Sequence, residues 1–102
     1  MKSAEIFEIL DNSEDLDSNR EILRVFLLEQ LARYDQEPTN GEAIAYVVAG
    51  LLGAKSIMHL SPDDPYSEII DLASSLELPP TQRDTDSTWE KFASLVRHLP
   101  NS

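Results

Sequence analysis

Residues 43–54 run for 12 positions without a charge, in a 102-residue chain with 19 acids against 8 bases and a net charge of −11. A stretch this apolar has to be covered by the rest of the chain, because a large exposed apolar patch on an acidic surface invites association. It is also too short to span a bilayer, which takes roughly 20 apolar residues. The wider segment 41–60 holds only Glu42 and Lys55 as charges and nets zero. Its first turns are apolar nearly all round, the pattern of a helix at the centre of a bundle. Ala45, Ala49 and Gly53 fall at i, i+4 and i+8, leaving a small-residue groove for close approach of another helix. The rival reading is a pair of buried strands, since Ile44, Val47 and Val48 are β-branched. The capping pattern Thr39-x-x-Glu42, the alanines and the missing turn signal favour helix. Gly50 and Gly53 each cost about 1 kcal/mol of helix propensity against Ala, which packing has to offset.

The same start signal recurs. Ser18-x-x-Glu21 and Ser87-x-x-Glu90 match the capping box, and Ser61-Pro62-Asp63-Asp64 places Pro and acids where a first turn favours them. Apolar runs at helical spacing follow each one. Tyr66, Ile69, Ile70, Ala73 and Leu76 share one face, and Trp89, Phe92, Ala93, Val96 and Leu99 repeat it. Ile6, Phe7 and Leu10 make a short first helix. Residues 18–36 make a longer one, with Ile22, Leu23, Phe26, Leu27, Leu31 and Tyr34 on one strip and Val25, Leu28 and Ala32 on a second, which predicts neighbours on two sides. Residues 11–17 and 37–40 read as linkers, and 78–86, with Pro79-Pro80, as the longest gap. The expected fold is all-α: one domain over 1–102, a bundle of four main helices plus a short N-terminal one, with the apolar 41–60 helix central. A chain of this mass can bury about two-thirds of its surface, enough for a modest core without staples.

The composition closes off several chemistries. With no cysteine there are no disulfides, thiolate metal sites or thiol catalysis. The acid excess argues against nucleic acid or an anionic membrane as the partner, since both select clustered Lys and Arg. No signal peptide or membrane span is read, so a cytoplasmic protein is expected. Tested as a calcium loop, residues 11–22 place Leu16 where the turn glycine belongs and Ile22 where the bidentate acid belongs, so the match fails. His59 and His98 sit at expected helix C-termini, where the dipole favours a cation, and neither is read as a metal ligand. Phosphate-loop, nucleophile-elbow and zinc-protease motifs are absent. No enzyme activity, cofactor or metal is expected.

Charge placement is what remains. Residues 5–17 carry six acids and no base, and residues 63–77 carry five acids and no base. Asp11, Glu14, Asp15 and Asp17 in the first linker, with Asp63 and Asp64 before the fourth helix, are the candidate partner-binding residues, because such a field steers a basic protein. The plainer explanation is solubility and first-turn dipole matching. The function expected is a small acidic interaction or regulatory module that binds another protein, basic in character. The alternatives are a homo-oligomeric structural bundle, with a homodimer its simplest form, and an inhibitor or immunity-type protein masking a nuclease or DNA-binding site. If 41–60 is an all-round buried helix, Asp at either Val48 or Leu52 should unfold the chain, since an unpaired buried charge costs several kcal/mol of a total near 5–15. A well-folded Leu52→Asp variant in far-UV circular dichroism and urea unfolding would mean that face is not core.

Overall fold

Tyr66, Ile69, Ile70, Ala73 and Leu76, which share a face in the sequence, are all buried along α5, Pro65–Leu76. The computed structural model describes residues 2–76 and 85–99, the side chains of residues 38 and 85–87 excepted. Before α5 come α1 (Ser3–Asp11), α2 (Arg20–Gln36), α3 (Gly41–Ala49) and α4 (Lys55–Met58), and after it α6 (Thr85–Arg97). Short 3-10 turns at Asp17–Asn19, Pro38–Asn40 and Gly50–Gly53 join them, and no strand occurs among the described residues. The fold is all-helical. Its radius of gyration, 12.8 Å, is the value of about 12.8 Å expected for a compact chain of this length.

The most extensive packing is of α5 on α3 and of α5 on α6. Ile44, Ala45 and Val48 of α3 and Phe92 and Val96 of α6 join the α5 face in one continuous core, with Leu23, Phe26, Leu27 and Leu31 of α2. Tyr34 and Trp89 stack at 4.0 Å between ring centroids, and the indole meets Phe92 edge-on at 5.5 Å, so aromatic contacts tie α2 to α6. Gly41 opens α3 beneath that stack. A Cβ there would come within 3.3 Å of both Trp89 and Tyr34, so the rings set the residue at this position.

The expected 41–60 helix is broken. It runs as α3 to Ala49, tightens into the 3-10 turn Gly50–Gly53, passes through Ala54 in extended conformation (φ −73°, ψ 140°) and restarts as α4. Gly50 and Gly53 supply the weak propensity at which a helix yields. Tertiary contacts supply the gain, because the tighter turn sets Leu51, Ala54 and Ile57 into the core together. Leu52 and Met58 lie outside, as does Tyr46 on the outer face of α3. Within α2 the second strip is covered only in part: Leu28 packs against the core, while Val25 and Ala32 are exposed.

The start signals mark the right neighbourhoods and miss the capping residue. The cap of α5 is Asp64, whose Oδ1 accepts from the Tyr66 N–H at 3.0 Å, with Pro65, not Pro62, as the first helical residue. Ser18 and Thr39 lie within 3-10 turns, and Asn19 and Asn40 take the positions before α2 and α3 without a side-chain cap. Helix α6 begins at Thr85, two residues before Ser87, whose side chain lies outside the described residues. Most of the expected 78–86 linker also lies outside them, and its last two residues belong to α6. Among the described residues no helix is long and apolar enough to cross a membrane.

The broken helix separates two substitutions that the intact one equated. Val48 is 0% exposed and Leu52 38%. Val48→Asp is expected to unfold the chain, with a loss of several kcal/mol, whereas Leu52→Asp keeps the cooperative transition within about 1 kcal/mol of the parent. Urea unfolding of the two variants side by side checks this.

Candidate functional site

The two base-free acidic stretches meet in space, and Arg20 stands between them. The first residue of α2 reaches forward to Asp64 with a bidentate pair, Nη1 to Oδ1 at 3.2 Å and Nη2 to Oδ2 at 2.6 Å. Its Nε also donates to Asp17 Oδ1 at 3.1 Å. The guanidinium lies 5.6 Å from the centre of the Tyr66 ring, and the Tyr66 hydroxyl donates to the Arg20 carbonyl at 2.8 Å. Asp64 is 12% exposed, so this pair is more shielded than the other ion pairs among the described residues. Hydrogen bonding from Arg20 holds the Asp64 carboxyl below its ordinary range against the opposing effect of burial, and the Tyr66 amide helps. The same pairing raises Arg20 further. Burial pushes the Tyr66 phenol up. Beside the clamp lies a cleft of about 250 Å³ lined by Asp15, Asp17, Ser56, His59 and Asp64.

Most of the candidate partner-binding acids have work inside the chain. Asp11 Oδ1 accepts from the Lys55 N–H at 3.1 Å and so caps α4 from the end of α1. Ser56 of α4 returns the favour, its hydroxyl donating to the Leu10 carbonyl at 2.7 Å and closing the C-terminus of α1. Glu14 lies 3.7 Å from Lys55 Nζ, on the exposed surface. Asp15 Oδ1 accepts from the Asp17 amide at 3.0 Å, a local turn, and Asp17 meets Arg20. Asp63 is exposed, its amide donating to Ser61 Oγ at 3.3 Å. Capping and loop closure give Asp11, Asp15, Asp17 and Asp64 a contact within the chain, and Glu14 has only an exposed ion pair. Those contacts leave the net charge, and hence the long-range field, as it was.

A second feature was not expected from sequence. Helix α1 runs beside the 46–56 segment, and between them lies an apolar groove of about 290 Å³ lined by Ala4, Phe7, Tyr46, Val47, Gly50 and Leu51. Tyr46 is 72% exposed at its edge. A Cβ built on Gly50 would meet nothing within 4 Å, so that residue leaves the groove open. A signal for this existed. Glu42 is the only charge of α3, and Tyr46, four residues on, shares its face, while Ile44, Ala45 and Val48 point the other way. Reading the segment as apolar all round hid that asymmetry.

A cleft of about 510 Å³ lies between α2 and α6 over the Tyr34–Trp89 stack. Its polar groups largely answer one another. Arg97 Nη2 is 3.3 Å from Asp35 Oδ2, and His98 Nδ1 is 2.6 Å from the Ser94 carbonyl. Among the described residues no three His, Asp or Glu side chains gather as a metal site would need.

Asp64→Asn isolates the clamp, because Asn still caps α5 while losing the charge that holds Arg20. The substitution is expected to cost about 1.5–3 kcal/mol at neutral pH, the range for hydrogen bonds to charged groups. Since the folded pKa of Asp64 lies below the unfolded value, the pair's contribution is complete above about pH 4 and disappears as pH falls through the lower folded value. Parent and variant should therefore converge in acid, which urea unfolding across pH measures; a constant gap down to strongly acidic pH would contradict it. No family model, curated protein or solved structure matches the chain, so the clamp and the groove are read on their own chemistry.

Proposed function

We propose that this chain is a small acidic interaction module, and that it binds another protein through the groove between α1 and α3. One observation carries the reading: Tyr46, an aromatic residue in an apolar segment, stands 72% exposed over a groove floored by Phe7, Val47 and Leu51. Tyrosine is enriched at the energetic centres of protein interfaces, since it buries a large area and still offers a hydroxyl. The net charge of −11 adds a field that speeds encounter with a basic partner. The same field opposes self-association, because two copies would bring like-charged surfaces together, so the homo-oligomeric reading draws less support. The inhibitor reading, in which carboxylates stand in for phosphates, is also weakened. Asp64 is engaged by Arg20, and Asp11 by the start of α4.

A photo-crosslinking amino acid placed at position 46 in native lysate tests the proposal. It is expected to capture one discrete protein, which unlabelled parent chain competes away. The same group at the exposed Asp71 of α5 should not capture it. Equal products from both positions, or none from position 46, would contradict the groove as the contact surface.

A further inference from the structure

The groove's rim carries a sign, and the rim and floor together describe an occupant. We infer that the α1–α3 groove takes a basic amphipathic helix of the partner, an inference that rests on the interaction reading above. Helix α1 lies against the Gly50–Gly53 turn and α4, and the trough left between it and the end of α3 is one that a partner helix fills by setting its side-chain ridge into it. The floor of Phe7, Val47 and Leu51 offers apolar contact, and Gly50 contributes no side chain to obstruct it. Beyond the floor both helices turn acidic. Glu8 lies one turn after Ala4 on α1, and Glu42 one turn before Tyr46 on α3, both exposed. Glu5 is exposed beside Ala4. None of the three carboxylates has an ion-pair partner among the described residues.

Cations near the groove are fewer. Lys2 precedes α1 at the open end, and Lys55, beyond the other end, pairs with Glu14. The rim therefore keeps an excess of negative charge around an apolar floor. The complement of that surface is a helix with an apolar stripe at i, i+3, i+4 and i+7 flanked by Lys or Arg. A second copy of this chain is a poor occupant, because its own helices would bring further carboxylates against Glu8 and Glu42.

Three synthetic helical peptides test the inference on the full chain by fluorescence anisotropy. One carries a Leu stripe flanked by Lys, the second the same stripe flanked by Glu, and the third the Lys flanks with the stripe changed to Ser. The Leu/Lys peptide is expected to bind at least about tenfold tighter than either control. Tyr46→Ala and the groove-filling Gly50→Leu should each weaken it by about tenfold or more. Both positions are exposed, so circular dichroism should show the fold retained. Glu8→Gln with Glu42→Gln should slow association several-fold at low salt and flatten its salt dependence. Equal binding of the Lys- and Glu-flanked peptides, or binding indifferent to Tyr46→Ala, overturns the inference. So does a dimer in sedimentation that Tyr46→Ala dissolves, which would make the occupant a second copy. Should position 46 still crosslink a partner while the peptides bind alike, only the basic helix falls; if crosslinking fails as well, the interaction reading falls with it.

Discussion

The pair between Arg20 and Asp64 is the contact on which closure of this acidic chain depends. Folding brings the base-free stretch ending at Asp17 against the one beginning at Asp63, and like charges so placed would repel without a cation between them. Arg20 supplies it, with one nitrogen on Asp17 and two on Asp64. Asp64 also caps α5, and the Tyr66 hydroxyl returns to the Arg20 carbonyl. Asp64 thus sets where α5 starts, and its pair with Arg20 ties that start to the first residue of α2. The bulk of the stabilisation still comes from burial along α5, α3 and α6, to which a single ion pair adds a small part.

A second set of contacts decides what the surface looks like. Asp11 caps α4 while Ser56 closes the end of α1, so α1 is fastened to the segment after Ala54. That attachment needs Ala54 extended and the preceding turn tightened, which the two glycines permit. Leu51, Ala54 and Ile57 turn inward and Tyr46 is left over the groove that α1 borders. The core packing after Ala49 and the capping of α4 follow from one break in one helix, while Tyr46 stands outside because it shares the Glu42 face of α3.

Sequence reading recovered what periodicity carries. The buried faces of α5 and α6 were legible residue by residue, because an amphipathic helix with one covered side repeats its pattern without ambiguity. The all-helical class followed from the same signal. Less legible was the 41–60 segment, where Glu42 alone marks the outer face that Tyr46 shares and the apolar residues after it gave no sign of the break. Caps were displaced by one to three residues because Asn19, Asn40 and Asp64 compete with nearby Ser and Thr for the same position, and tertiary contacts choose among them. The acidic loop shows the same limit. Asp11 and Asp64 read as free charges along the chain, yet their partners lie 44 residues away, at Lys55 and Arg20. Arg20 itself gave no sign in the sequence beyond being the first base after a run of acids.

The apolar segment breaks after Ala49, turning Leu51, Ala54 and Ile57 into the core together and setting Gly50 and Leu51 at the groove beside Tyr46. Backbone Cα chemical shifts across residues 41–58 test it most directly, since they report local φ and ψ without reference to packing. Helical shifts are expected through Val48, with their loss across Gly53 and Ala54, Ala54 on the extended side of its random-coil value, and a return to helical values at Ile57. Unbroken helical shifts from Glu42 to Met58 would mean a continuous central helix, and the groove described here would not exist.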